Sequence, residues 1–217
     1  MRPIYLAAPD EARCDEFVLR VGERFEVDGE PPREYSITPY DTFDWRMYGN
    51  DYFAYATPAS FAIQESRSGS PLLELEMRKV PRFWWEFGDE RLRSLLRDIV
   101  GVRALLPLAT LTIRERRFLV RNDDGKTVCR FSHLVHAVDD GDTLSCLLVE
   151  PLRGYAEERD LVHAAARESG MVDLAHPFLE ELLLAHGIRP GDYSSKLDIS
   201  LVKAQTVTEA ALVIHRH

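Results

Sequence analysis

The chain has 217 residues, 45% hydrophobic, 29% charged and 10% aromatic, with 36 acidic against 27 basic side chains and a net charge of −9. That size and balance suit one soluble globular domain with a sizeable core. No apolar run reaches the roughly 20 residues of a membrane helix, and the acidic balance disfavours non-specific nucleic-acid binding as the main role. The stretch after Met1-Arg2-Pro3 is interrupted too soon, by Asp10, Glu11 and Arg13, to serve as a secretory signal. The expectation is a cytoplasmic protein with neither a membrane nor a nucleic acid as partner.

Taken in chain order, Phe17 to Val27 reads as a strand, because Leu19, Val21, Phe25 and Val27 alternate, and Gly29 with Pro31-Pro32 ends it. Arg33 to Thr38 and Tyr52 to Ala56 read as strands on either side of a polar and aromatic connection, Tyr40 to Tyr48. Phe61 to Glu65 and Leu72 to Lys79 pair through the loop Ser66-Arg67-Ser68-Gly69-Ser70. Asp89 to Val100 is an amphipathic helix with Leu92, Leu95, Leu96 and Ile99 on one stripe. Thr110 to Arg121 and Lys126 to Val138 flank Asn122-Asp123-Asp124-Gly125, a hairpin signal in which glycine tolerates positive φ. Asp139-Asp140-Gly141-Asp142 leads to a last strand, Thr143 to Glu150, and helices are expected over Glu157 to Ser169, Pro177 to His186 and Thr206 to His217. The fold class is α+β, with about eight antiparallel strands, enough to close a barrel, one helix inserted midway and helices at the end.

Three widely spaced cysteines, Cys14, Cys129 and Cys146, form no metal-ligand or disulfide pattern, and the latter two read as small core residues. The charges within the strands are more telling. Glu74, Glu76 and Arg78 share one face of their strand, and Leu73, Leu75 and Met77 share the other. Thr112, Arg114 and Arg116 likewise oppose Ile113, Glu115 and Arg117, while Arg130 and Glu150 sit in the last two strands. Such faces suit either a solvated sheet surface with cross-strand ion pairs or a barrel interior that holds phosphate oxygens and a divalent ion. His133 and His136 are three apart, on opposite faces of a strand, so a shared metal is not expected. Phe83-Trp84-Trp85 and Phe87 suit packing, or a contact surface for a partner. P-loop, dinucleotide-binding and serine-hydrolase motifs are absent.

Tyr40-Asp41-Thr42-Phe43-Asp44-Trp45 resembles the Y-[FY]-D-T-x-D segment of CYTH domains, the triphosphate tunnel metalloenzymes, in which it follows the second strand of an antiparallel barrel. The resemblance implies an eight-stranded tunnel over residues 1–205. It places Arg78 or Lys79 where the family has a tunnel lysine, and Arg114 and Arg116 where its arginines grip phosphate, with Arg130 as a further phosphate contact. Glu150-Pro151-Leu152-Arg153-Gly154 resembles the E-x-K-x-G end of the acidic strand, which makes Glu150 a metal ligand beside Glu74 and Glu76. Ser195-Lys196 resembles the family's S-K motif, so Lys196 joins the phosphate-binding set.

The departures matter as much. The E-x-E-x-K signature of the first strand is reduced to Glu23 and Glu26, three apart and so on opposite faces. The paired arginines of the fourth strand match Ala62 and Gln64, and the partner of Glu150 falls on Leu148. The expected function is a degenerate CYTH-like domain that binds inorganic polyphosphate, triphosphate or another anion without efficient catalysis. One alternative is a triphosphatase dependent on Mg²⁺ or Mn²⁺, acting on tripolyphosphate or a nucleoside triphosphate; another is a protein-interaction scaffold. The likeness is to CYTH domains that precede a helical CHAD domain, so residues 206–217 are expected to begin, or link to, such a partner.

Overall fold

A computed structural model describes residues 2–8, 10–138 and 142–193. The loop at Asp139 to Gly141, Lys196 and the expected helix from Thr206 lie outside the described residues.

Among the described residues, eleven strands form one antiparallel sheet. They are β1 (Ile4–Ala7), β2 (Glu26–Gly29), β3 (Arg33–Asp41), β4 (Tyr52–Ala56), β5 (Ser60–Glu65), β6 (Pro71–Glu76), β7 (Leu106–Pro107), β8 (Leu111–Arg121), β9 (Thr127–Ala137), β10 (Thr143–Pro151) and β11 (Val172–Asp173). Nine of them follow one another across the sheet in the order β11-β1-β10-β9-β8-β3-β4-β5-β6, with β2 beside β8 and β7 beside β3. The same residues form five helices: α1 (Glu11–Gly22), α2 (Arg46–Gly49), α3 (Glu90–Val100), α4 (Ala156–Glu168) and α5 (Phe178–Ala185).

Strand alternation gives the sheet two apolar faces, and each is covered. On the convex side Phe118, Val120, Phe131, Leu147 and Val149 pack against Phe17 and Val21 of α1 and Val162 and Ala166 of α4. Phe131 is fully buried, with its ring centroid 4.8 Å from both Phe17 and Phe118. Burial of such a ring contributes about 2–3 kcal/mol. Further round, Ala54, Phe61 and Ile63 meet Leu92, Leu96 and Ile99 of α3, which is capped by Asp89 accepting from the Leu92 N–H. On the concave side α5 sets Phe178, Leu179, Leu182 and Leu183 against Phe53, Ile113, Leu134 and Cys146.

The sheet curls into a half-barrel. Its outer strands, β6 and β11, do not pair; instead side chains bring its margins together. Arg2 Nη2 donates to the Arg67 carbonyl at 2.8 Å, and the Tyr5 ring lies against Gly69, which has φ +66°. A Cβ at position 69 would stand 2.6 Å from Tyr5 Cε2. Gly69→Ala must therefore both displace a tyrosine and adopt a left-handed backbone. Its expected cost is about 2 kcal/mol in urea unfolding, and a loss below about 0.5 kcal/mol would show that this margin is loose.

Two expectations are corrected. Among the described residues eleven strands form a half-barrel in place of an eight-stranded closed one, and no strand pairing closes it across the margin just described. The strand expected over Phe17 to Val27 is mostly helix: α1 buries Cys14, Phe17 and Val21, a helical spacing, and leaves Leu19 74% exposed. Asp10 starts it by accepting from the Arg13 N–H at 2.7 Å. Only Glu26–Gly29 is extended. The other expected strands and helices between Arg33 and His186 occur within a few residues of their expected bounds.

Candidate functional site

The concave face forms a half-open cavity of about 700 Å³. Side chains from eight strands and α5 reach it. An apolar wall comes from Ile37, Leu134, Leu148, Phe178, Leu179 and Leu182, and Tyr5, Tyr35 and Tyr55 add three rings. The charged lining is Arg33, Glu34, Glu74, Glu76, Glu115 and Arg117, with Ser60 and Gln64 as neutral polar groups.

Helix α5, which forms much of the apolar wall, is tied down at both ends. The Tyr48 hydroxyl donates to Glu180 Oε1 at 3.0 Å, and His186 lies with its Nε2 2.7 Å from Nε2 of His136. His136 Nδ1 is 2.8 Å from the Thr112 carbonyl, so it carries the proton and Nε2 accepts from His186. His133, on the opposite face of β9, is buried with Nε2 2.7 Å from Ser145 Oγ. Burial, then the charge of Arg116, holds its imidazole below the ordinary range.

The polar part of the cavity centres on Glu115, whose side chain is 4% exposed. It accepts from Arg33 Nε at 2.8 Å and Ser132 Oγ at 2.7 Å, and Arg117 Nε lies 3.8 Å away. Arg117 Nη2 in turn donates to Glu150 Oε2 at 2.9 Å. Burial pushes the Glu115 carboxyl upward, but the hydrogen bonds from Arg33 and Ser132 and the charges of Arg33 and Arg117 outweigh it and hold it below the usual range. Burial raises the Tyr5, Tyr35 and Tyr55 hydroxyls; nearby carboxylates add to this, Glu150 at Tyr5, Glu115 at Tyr35, and Glu74 with Glu150 at Tyr55. Across the cavity Ser60 Oγ donates to Glu74 Oε1 at 2.8 Å, and Glu76 follows on the same face of β6.

Of the residues expected to hold phosphate or metal, Glu74 and Glu76 line the cavity, and Glu150 reaches its edge through Arg117. Arg114 and Arg116 do not face it. They lie on the convex side, where Arg116 contacts Glu11 at 3.0 Å and Asp15 at 2.8 Å, and Arg114 contacts Glu11 at 3.5 Å, all on α1. Arg78 is exposed beyond the end of β6, and Arg130 is exposed opposite Glu150, so neither joins the lining. Arg33, Glu115 and Arg117 take the inward places instead. The three-carboxylate metal set is not assembled either: among the described residues no group of three His, Cys, Asp or Glu side chains is placed to hold one ion. The pairs of Arg114 and Arg116 are largely solvated, so Arg114→Ala with Arg116→Ala should cost at most about 1 kcal/mol. Ligand affinity at the cavity should stay unchanged; a large loss in titration would return those arginines to the site.

The Tyr40 to Tyr48 segment is a structural clamp. Asp41, 2% exposed, accepts from the backbone N–H groups of Thr42 at 2.6 Å, Met47 at 2.9 Å and Tyr48 at 3.0 Å. Thr42 Oγ1 accepts from the Arg46 N–H and donates to Asp44, which also accepts from Arg46 and Arg103. Together they hold Trp45 at φ 54°, a left-handed conformation that an L-residue adopts only under constraint.

No family model and no curated protein matches the chain. Among solved structures, the PH1819 protein from Pyrococcus horikoshii OT3 is similar over 84% of this chain and 98% of its own, at 15% identity and a TM-score of 0.42. That likeness is too loose to bear on fold family or function. All three cysteines are buried thiols, and no helix among the described residues is long and apolar enough to cross a membrane.

Proposed function

We propose that this chain is a binding module built on a CYTH-like tunnel, with the concave cavity as its ligand site and without efficient triphosphate hydrolysis. One observation carries the reading. Among the described residues, the two cations of the cavity lining, Arg33 and Arg117, are each already held by a carboxylate, at 2.8 and 2.9 Å. A triphosphate needs several free cations at once, and here it would meet Glu34, Glu74, Glu76 and Glu115 as well. Two inward positions where the resemblance calls for a charged group are neutral: Gln64 on β5 and Leu148 on β10. A pocket of this volume with an apolar wall and a few placed polar groups suits a small organic ligand.

A second reading draws on Glu74 and Glu76, which share a face at the cavity. Mg²⁺ can be held by one or two carboxylates when phosphates complete its shell, so a polyphosphate could enter with the ion. Calorimetric titration separates the two. With chelator present, tripolyphosphate should show no saturable binding up to about 1 mM, and Mg²⁺ should not change that. Binding that appears only with Mg²⁺ and is lost in Glu74→Gln with Glu76→Gln would favour the second reading. The scaffold alternative has one supporting feature, Trp85, which is 49% exposed and stacked on Phe83. Phe87 and Trp84 of the same run pack into the core beneath α3.

A further inference from the structure

We propose that the cavity selects an organic cation with an apolar body, its ammonium group set between Glu74 and Glu76 and its hydrocarbon part along α5. This deepens the binding reading above and rests on it. The charge left over in the cavity decides the sign. Arg33 and Arg117 are neutralised from within by Glu115 and Glu150. Glu74 has the Ser60 hydroxyl as its only hydrogen-bond partner, and Glu76 has no hydrogen-bond or ion-pair partner, among the described residues. An anion would have to draw Arg33 from the buried Glu115, or Arg117 from Glu150, and leave a carboxylate behind, which is costly. A cation meets two carboxylates that are free to receive it.

The rest of the lining fits the same ligand. Tyr5, Tyr35 and Tyr55 place aromatic rings in a cavity whose net charge is negative, and ammonium groups are attracted to such rings. The wall of Leu148, Phe178 and Leu182 removes hydrocarbon from water but has no donor for an anionic head. The apolar wall and the three rings beside Glu74 and Glu76 are what make this a site, since both carboxylates are themselves exposed where they line the cavity.

Three probes with one tail test the sign directly: octylammonium, octanoate and 1-octanol, titrated calorimetrically at equal ionic strength, with the backbone amides of Tyr55, Gln64 and Leu182 followed by NMR to locate the bound probe. Octylammonium should bind about tenfold or more tighter than octanoate, with the alcohol between them. Glu74→Gln with Glu76→Gln, both exposed positions that leave the core intact, should reduce that preference to about twofold or less while the alcohol binds as before. Octanoate binding as well as octylammonium, or a preference that survives the double variant, would overturn the cation assignment while leaving the cavity as the site. No binding by any probe, or shifts confined to other residues, would overturn the cavity reading together with it.

Discussion

Asp41→Ala should lower the free energy of unfolding by about 4 kcal/mol, because three buried backbone N–H groups lose their acceptor in one step. The N–H groups of Thr42, Met47 and Tyr48 point at a carboxylate that water does not reach, and Met47 is itself fully buried. Asp41→Asn keeps an acceptor where Oδ1 serves Thr42 and Met47 but places an amide where Oδ2 serves Tyr48, so about half that loss is expected. Urea denaturation with an unchanged m-value is the check. A loss below about 1 kcal/mol for the alanine variant would mean that water or a neighbour replaces the carboxylate, and the segment would no longer count as a clamp.

Glu115→Ala should cost about 3 kcal/mol, since it leaves Arg33 and Ser132 without their acceptor around a vacated buried position, while Arg117 keeps Glu150. The figure is kept at the lower end because Arg33 is 52% exposed and recovers water. The effect has a pH signature. Glu115 has its proton affinity lowered by folding, so its contribution is present above the ordinary glutamate range and is lost as pH falls through the lower, folded value. The wild-type chain should therefore lose stability on acidification more steeply than Glu115→Gln. Parallel acid-side slopes for the two proteins would show that the carboxylate is not charged in the fold.

Much of the fold is legible in the sequence, and the site much less so, for one connected reason. Strands β8, β9 and β10 are set off by the hairpin signals at Asn122 to Gly125 and Asp139 to Asp142, and helix α3 carries one apolar stripe, which fixes type and bounds. Helix α1 carries two periods. Leu19, Val21, Phe25 and Val27 alternate, while Cys14, Phe17 and Val21 recur at helical spacing, and only packing against Phe118 and Phe131 decides between them. With Phe17 to Val27 read as a strand, the helix that begins at Glu11 is missed, and Glu11 and Asp15 disappear as partners. Strand β8 has charges on both faces, Arg114 and Arg116 on one and Glu115 and Arg117 on the other. Without a helix on the convex side nothing assigns the arginines outward, and the wrong face becomes the inner one. Phe118 and Val120, which continue the face of Arg116 into the core, are the signal that points the other way. Strand β1 is too short to carry a period at all. The Tyr40 to Tyr48 motif is legible as a motif, but its chemistry is that of a turn: its carboxylates serve backbone N–H groups and arginines, and not the cavity.

Phosphate release from tripolyphosphate in the presence of Mn²⁺, with protein in excess so that even one turnover is visible, is the most direct test of the proposal that the cavity is a binding site without triphosphatase activity. Release should not exceed the protein-free rate at any Mn²⁺ concentration. Metal-dependent release that disappears in Glu74→Gln with Glu76→Gln would contradict that reading and make the cavity an active site.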